Sequence, residues 1–121
     1  MLTLRVTSLL AGLWTAGALP AVAQGNVISD SAAANHVGQM VTVEGIVANV
    51  HTSRGNNTFL NFGAPYPRQV FSAVVFRSSQ GRFVNLDRWA GRRVRVTGRI
   101  QLYEGRPEVI LTDPSQLQAA P

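Results

Sequence analysis

At 121 residues the chain has room for one domain, and the absence of cysteine excludes disulfides, thiol catalysis and thiolate metal sites. Eleven basic residues against six acids give a net charge of +5, and every basic residue is arginine. Arginine forks suit phosphates, carboxylates and ring faces, which favours an anionic partner; arginine usage in a GC-rich genome explains the bias equally well.

The first 23 residues read as a secretory signal peptide. Arg5 precedes an uncharged Leu/Ala-rich run over 6–19, Pro20 ends it, and Ala21-Val22-Ala23 offers small residues to a signal peptidase. The run is shorter than the roughly 20 apolar residues of a membrane span. The expectation is cleavage after Ala23, a chain that is periplasmic or secreted, and no stable membrane insertion afterwards. Residues 24–121 then form a single domain. It keeps ten arginines against all six acids, a formal charge of +4.

Residues 24–29 read as a loose arm. Ser29, Asp30 and Ser31 offer N-cap oxygens to a short helix through 32–36, with His36 at its C-terminal end and Gly38 just beyond. Residues 40–52 alternate as a long strand that Gly45 interrupts, the mark of a bend or bulge. SRGNN (53–57) is a hairpin loop, TFLNF (58–62) a second strand and GAPYPR (63–68) a loop. QVFSAVVFR (69–77) is a third strand, rich in β-branched and aromatic residues. A connection over 78–90 carries a helical piece from Asn85 that stops at Gly91. Over 92–103 Val94, Val96, Ile100 and Leu102 alternate with Arg93, Arg95, Thr97, Arg99 and Gln101, a fourth strand with one buried face. Its three outward arginines fit either a basic binding surface or charge that blocks edge-to-edge pairing. EGRP (104–107) turns the chain into a fifth strand over 108–112, and 118–121 are expected to fray.

Five strands, a short N-terminal helix and a short helix between strands three and four match an all-β, five-stranded Greek-key OB-fold barrel, whose usual ligand face is strands two and three. By pattern alone an SH3-like barrel or an open meander also fits. VTVEGIVANV, FLNFG, FSAVVF and GRRVRVTGRIQLYEGRPEVIL together resemble the OB-fold nucleic-acid-binding family that includes anticodon-binding and exonuclease-associated domains, and within it small exported bacterial members. The resemblance spans about residues 32–116. It implies the barrel and single-stranded nucleic-acid binding; the same barrel also serves oligosaccharide and protein ligands.

Catalysis finds no support in the pattern. No two of Asp30, Glu44, Asp87, Glu104, Glu108 and Asp113 sit at a spacing that makes a metal site or an acid/base dyad on one element. His36 and His51 stand far apart without carboxylates beside them, His51 at a loop edge. The glycines form no phosphate-cradling loop. No catalytic residue, metal or cofactor is expected.

A single-strand groove combines arginines with exposed rings, each stack contributing about 1–3 kcal/mol. If Leu60 and Phe62 face the core, Phe59 and Asn61 face the groove. The parity of the third strand is not fixed by its pattern, and its end in Arg77 favours Phe71 outward. Arg54 in the first loop, Tyr66 and Arg68 in the second, and Arg106 in the last hairpin complete the rim. The opposing reading puts Phe59 or Phe71 in the core. Phe83 and Trp89 read as plugs of the barrel bottom and Tyr103 as packing across the last hairpin. The chain thus reads as a non-enzymatic binding module for single-stranded DNA or RNA, or another anionic polymer. The alternative is a periplasmic protein- or glycan-interaction module that binds no nucleic acid.

Overall fold

The computed structural model describes residues 26–121, and the signal peptide expected over 1–23 lies outside them. The chain runs β1 (Val27–Ser29), a 3₁₀ helix (Asp30–His36), β2 (Met40–Thr52), β3 (Thr58–Phe62) and β4 (Phe71–Val75). Two 3₁₀ segments follow (Arg77–Arg82 and Leu86–Trp89), then β5 (Arg93–Arg99), β6 (Gln101–Tyr103), β7 (Arg106–Ile110), a 3₁₀ turn (Pro114–Gln116) and β8 (Leu117–Ala119).

All eight strands belong to one sheet, with the hydrogen-bonded path β6–β7–β4–β3–β2–β5–β8 and β1 alongside β2. The β1–β2 and β4–β7 pairs are parallel, the others antiparallel. No ladder joins the two ends of the path, so the closed five-stranded barrel expected from the pattern is corrected to an open sheet, all-β and OB-like, with short helical turns. The expected fourth strand divides at Ile100. Its N–H donates to the Gln39 carbonyl (3.0 Å) and its own carbonyl accepts from the Gly38 N–H (2.7 Å). These bonds to the 38–39 turn split the strand expected over 92–103. β5 stays paired with β2, while β6 pairs with β7. Leu102, beyond the break, is 51% exposed instead of core-facing.

The chain ends are more ordered than their composition suggests. The expected arm contains β1, in register with β2 from Val27–Thr42 to Ser29–Glu44. The expected frayed tail holds the last two residues of β8 (Leu117–Ala119), which pairs with β5, and the Ala120 N–H bonds to the Arg93 carbonyl at 3.0 Å. A capping box sets β8 up: Asp113 Oδ1 accepts from the Ser115 N–H (2.9 Å) and Gln116 Oε1 from the Asp113 N–H (3.0 Å). The bond from the Ser115 backbone holds the Asp113 carboxyl below its ordinary range.

The core lies between the coiled halves of the sheet. Val41, Val43 and Val47 of β2, Leu60 and Phe62 of β3, Phe71, Ala73 and Val75 of β4, and Val94 and Val96 of β5 meet Ile100, Val109 and Leu111 there. Ala33, Leu86, Trp89 and Leu117 close its ends, and Phe83 packs against it. The guanidinium groups of Arg88 and Arg92 lie 4.6 and 5.0 Å from the Trp89 ring centre.

Two glycines mark close approaches. A Cβ on Gly45 would stand 2.5 Å from Asp30 Oδ2, so the residue gives clearance to the first helical turn. The irregularity in the β2–β3 register falls later, between Val47 and Asn49. A Cβ on Gly98 would stand 2.4 Å from Val109 Cγ1, where β5 crosses β7.

The arginine row of β5 is not on an edge, because β2 and β8 flank it. Arg95 Nε donates to Glu44 Oε1 at 2.8 Å, Arg93 Nη1 lies 3.6 Å from Glu44 Oε2, and Arg99 donates to the Gly38 carbonyl. Cross-strand pairing with Glu44 accounts for Arg93 and Arg95, and the turn before β2 for Arg99.

Candidate functional site

β3 is an interior strand, so its two faces look into different places. Leu60 and Phe62 point into the core, as alternation predicts, and Phe59 and Asn61 point the other way into a cavity of about 270 Å³. His51 and Ser53 at the end of β2, Ser72 of β4, and Pro107 and Glu108 of β7 share its wall. Loop residues Tyr66 and Gln69 and the hairpin residues Tyr103, Glu104 and Arg106 form its mouth.

One polar row crosses five strands. The residues opposite each other in register are Asn49 (β2) with Asn61 (β3), Asn61 with Ser72 (β4), Ser72 with Glu108 (β7), and Glu108 with Gln101 (β6). Asn61 Nδ2 donates to Asn49 Oδ1 (3.1 Å), and Ser72 Oγ donates to Asn61 Oδ1 (3.0 Å). Those two bonds fix which way the Asn61 amide faces. Gln101 Nε2 donates to Glu108 Oε2 at 3.0 Å. Asn61, Ser72 and Glu108 are all buried, so each needs partners close by. Burial pushes the Glu108 carboxyl above its ordinary value, and the Gln101 bond only partly opposes it.

The expected site residues divide into three groups. Phe59, Asn61, Tyr66 and Arg106 line the cavity. Arg54 and Arg68 are exposed on the two loops flanking it, outside its wall. Phe71 is a correction, and Arg77 is exposed beyond the end of its strand, outside the cavity wall. Phe71 is 0% exposed and packs edge-on against Phe62 in the core, ring centres 5.1 Å apart. Arg77 opens the 3₁₀ helix after β4, with its N–H on Asn57 Oδ1 at 2.9 Å. The strand ends at Val75, so Arg77 carries no information about strand parity, and the parity it favoured is reversed: Ser72 faces the cavity.

Arg106 differs in role from a free rim cation. It donates to the Pro67 carbonyl and to Gln69 Oε1 (3.1 Å), and its guanidinium lies 5.7 Å from the Tyr66 ring centre. It ties β7 to the 63–70 loop and sets the Tyr66 ring at the mouth.

The pattern missed His51, Ser53, Gln69, Ser72, Tyr103, Glu104 and Glu108 as site residues. The available signal was a polar residue set among apolar ones, Ser72 in FSAVV and Glu108 between Pro107 and Val109. Among the described residues no three His, Asp or Glu side chains cluster as metal ligands, and no helix is long and apolar enough to cross a membrane.

No protein-family model matches the chain, and no curated protein matches it. Solved structures do. An aspartyl tRNA synthetase from Entamoeba histolytica matches with a TM-score of 0.52 at 17% identity, over 99% of this chain and 28% of its own. A chain assigned as an aspartyl-tRNA synthetase from Leishmania major Friedlin matches with a TM-score of 0.52 at 12% identity, over 90% of this chain and 22% of its own. The likeness at these identities is one of fold: the chain corresponds to about a quarter of each of those proteins.

Proposed function

We propose that the chain is a non-enzymatic OB-fold module that binds single-stranded nucleic acid on the β2–β3–β4–β7 face. The observation that carries the reading is the cavity with Phe59, Tyr66 and Tyr103 around a floor of hydrogen-bonding groups, flanked by Arg54 and Arg68. Rings supply sequence-tolerant stacking at about 1–3 kcal/mol per base, and arginines on the flanking loops meet the phosphates. The match to part of two enzymes named for tRNA supports a nucleic-acid partner. No observation supports the protein- or glycan-partner alternative. Export belongs to the same proposal: residues 1–23 act as the signal and the mature chain starts at Gln24, which mass spectrometry of the exported form checks.

Salt titration tests the binding. Each arginine on a phosphate contributes a log–log slope of about −0.7 for single strands, so Arg54 and Arg68 together give roughly −1.4. Arg68→Ala weakens binding and flattens the slope by about 0.7. Phe59→Ala weakens binding about 5- to 150-fold, the equivalent of its stacking energy, and leaves the slope alone. Absence of oligonucleotide binding at low salt would remove the reading.

A further inference from the structure

On the reading of this face as a single-strand groove, one side chain in its floor has a further consequence. Glu108 is 7% exposed and lines the cavity. Gln101 Nε2 is the one donor that reaches its carboxylate among the described residues, and the described ion pairs all belong to Glu44. Arg106, two positions away, spends donors on Pro67 and Gln69. An ionised carboxylate held out of water with a single donor is unfavourable. The same burial pushes its carboxyl above the ordinary value. Such a group repels phosphate and accepts hydrogen bonds, so it selects a ligand that brings N–H donors.

We infer that the cavity takes one unpaired guanine, with the base's adjacent N1–H and N2 amino donors on the Glu108 carboxylate and its ring among Phe59, Tyr66 and Tyr103. Guanine alone of the common bases presents two neighbouring donors on its Watson–Crick edge, and these match the two carboxylate oxygens in a bidentate pair. Oε2 keeps a second lone pair beside its bond to Gln101. Uracil and thymine present one N–H between two carbonyl oxygens, which face the carboxylate with repulsion. Cytosine and adenine present one amino group beside a bare ring nitrogen. Each of these leaves the buried carboxylate underpaired, and an unpaired buried polar group is what makes discrimination steep.

The test compares short labelled oligothymidylates carrying one central guanine, inosine, cytosine or adenine, titrated by fluorescence anisotropy against the purified chain. Inosine differs from guanine only by the missing N2 amino group. The guanine strand binds about 5- to 150-fold more tightly than plain oligothymidylate, the range a good bidentate base contact gives, and inosine falls between. Glu108→Gln brings guanine down to the inosine level. Equal affinity for guanine, inosine and thymine in the unmutated chain overturns the guanine assignment and leaves the single-strand reading standing. Failure of every strand to bind overturns both. The guanine–inosine comparison needs no variant, so it decides the matter even if Glu108→Gln does not fold.

Discussion

Replacing Gly98 with alanine probes the crossing of β5 over β7 that gives the sheet its coil. The new Cβ would sit 2.4 Å from Val109 Cγ1 and 3.3 Å from Gln116 Nε2. Carbon atoms pack comfortably at about 3.5–4.0 Å, so about 1 Å must be found against a valine that is fully buried. Overpacking of this kind costs about 1–3 kcal/mol. For a domain of this size each kcal/mol lowers Tm by about 4–8 °C, so Gly98→Ala should melt roughly 4–24 °C lower. Val109→Ala alone opens a cavity and costs roughly 2 kcal/mol. In the double variant the methyl gained occupies the space of the methyls lost, and the combined destabilisation falls short of the sum by about 1–2 kcal/mol. Urea and thermal denaturation of the four proteins measure the cycle. Losses that add to within about 0.5 kcal/mol refute direct contact at this crossing.

Four further outcomes are expected. Because the folded-state pKa of Glu108 is raised, the unfolded chain ionises first, so this group favours the folded state most at acid pH. Stability from this source declines as pH rises from the ordinary carboxyl value of 4.5 through the folded pKa. Glu108→Gln should therefore gain Tm over the parent as pH increases, and a flat difference between pH 4 and 7 contradicts the shift. Asp113 has the opposite sign: its lowered pKa stabilises above the unfolded value and is lost as pH falls through the folded one, so Asp113→Asn should narrow its gap to the parent in acid. Finally, Phe71→Ala should lose about 3–5 kcal/mol of stability as a core truncation. Arg77→Ala should change neither oligonucleotide affinity nor its salt slope, and a flattened slope would return that side chain to the groove.

What could be read from the chain follows the range of the forces involved. TFLNF alternates because β3 has one face in the core and one in the cavity, so Phe59 and Asn61 were legible from five residues. Phe71 was not, since its facing was argued from Arg77, and the strand stops two residues short of that arginine. Ile100 ends β5 through bonds to the 38–39 turn, some sixty positions away, and nothing in the local alternation announces such a partner. β1 and β8 are three residues each, too short to show a period. Glu108 was visible as an acid beside an apolar run. Its meaning came from Ser72 and Gln101 standing beside it, which depends on the registers of three strands.

The tie that Arg106 makes between β7 and the 63–70 loop has a thermodynamic consequence. Immobilising a flexible side chain on binding costs about 0.5–1.5 kcal/mol, and a loop costs more. With the Arg106 guanidinium 5.7 Å from the Tyr66 ring centre, a ligand entering the cavity meets a ring whose freedom folding has already reduced. Removing that guanidinium would thus appear in calorimetry as a less favourable binding entropy at nearly constant enthalpy. On the proposed function, the contribution of Arg106 is to hold the mouth in place before a ligand arrives.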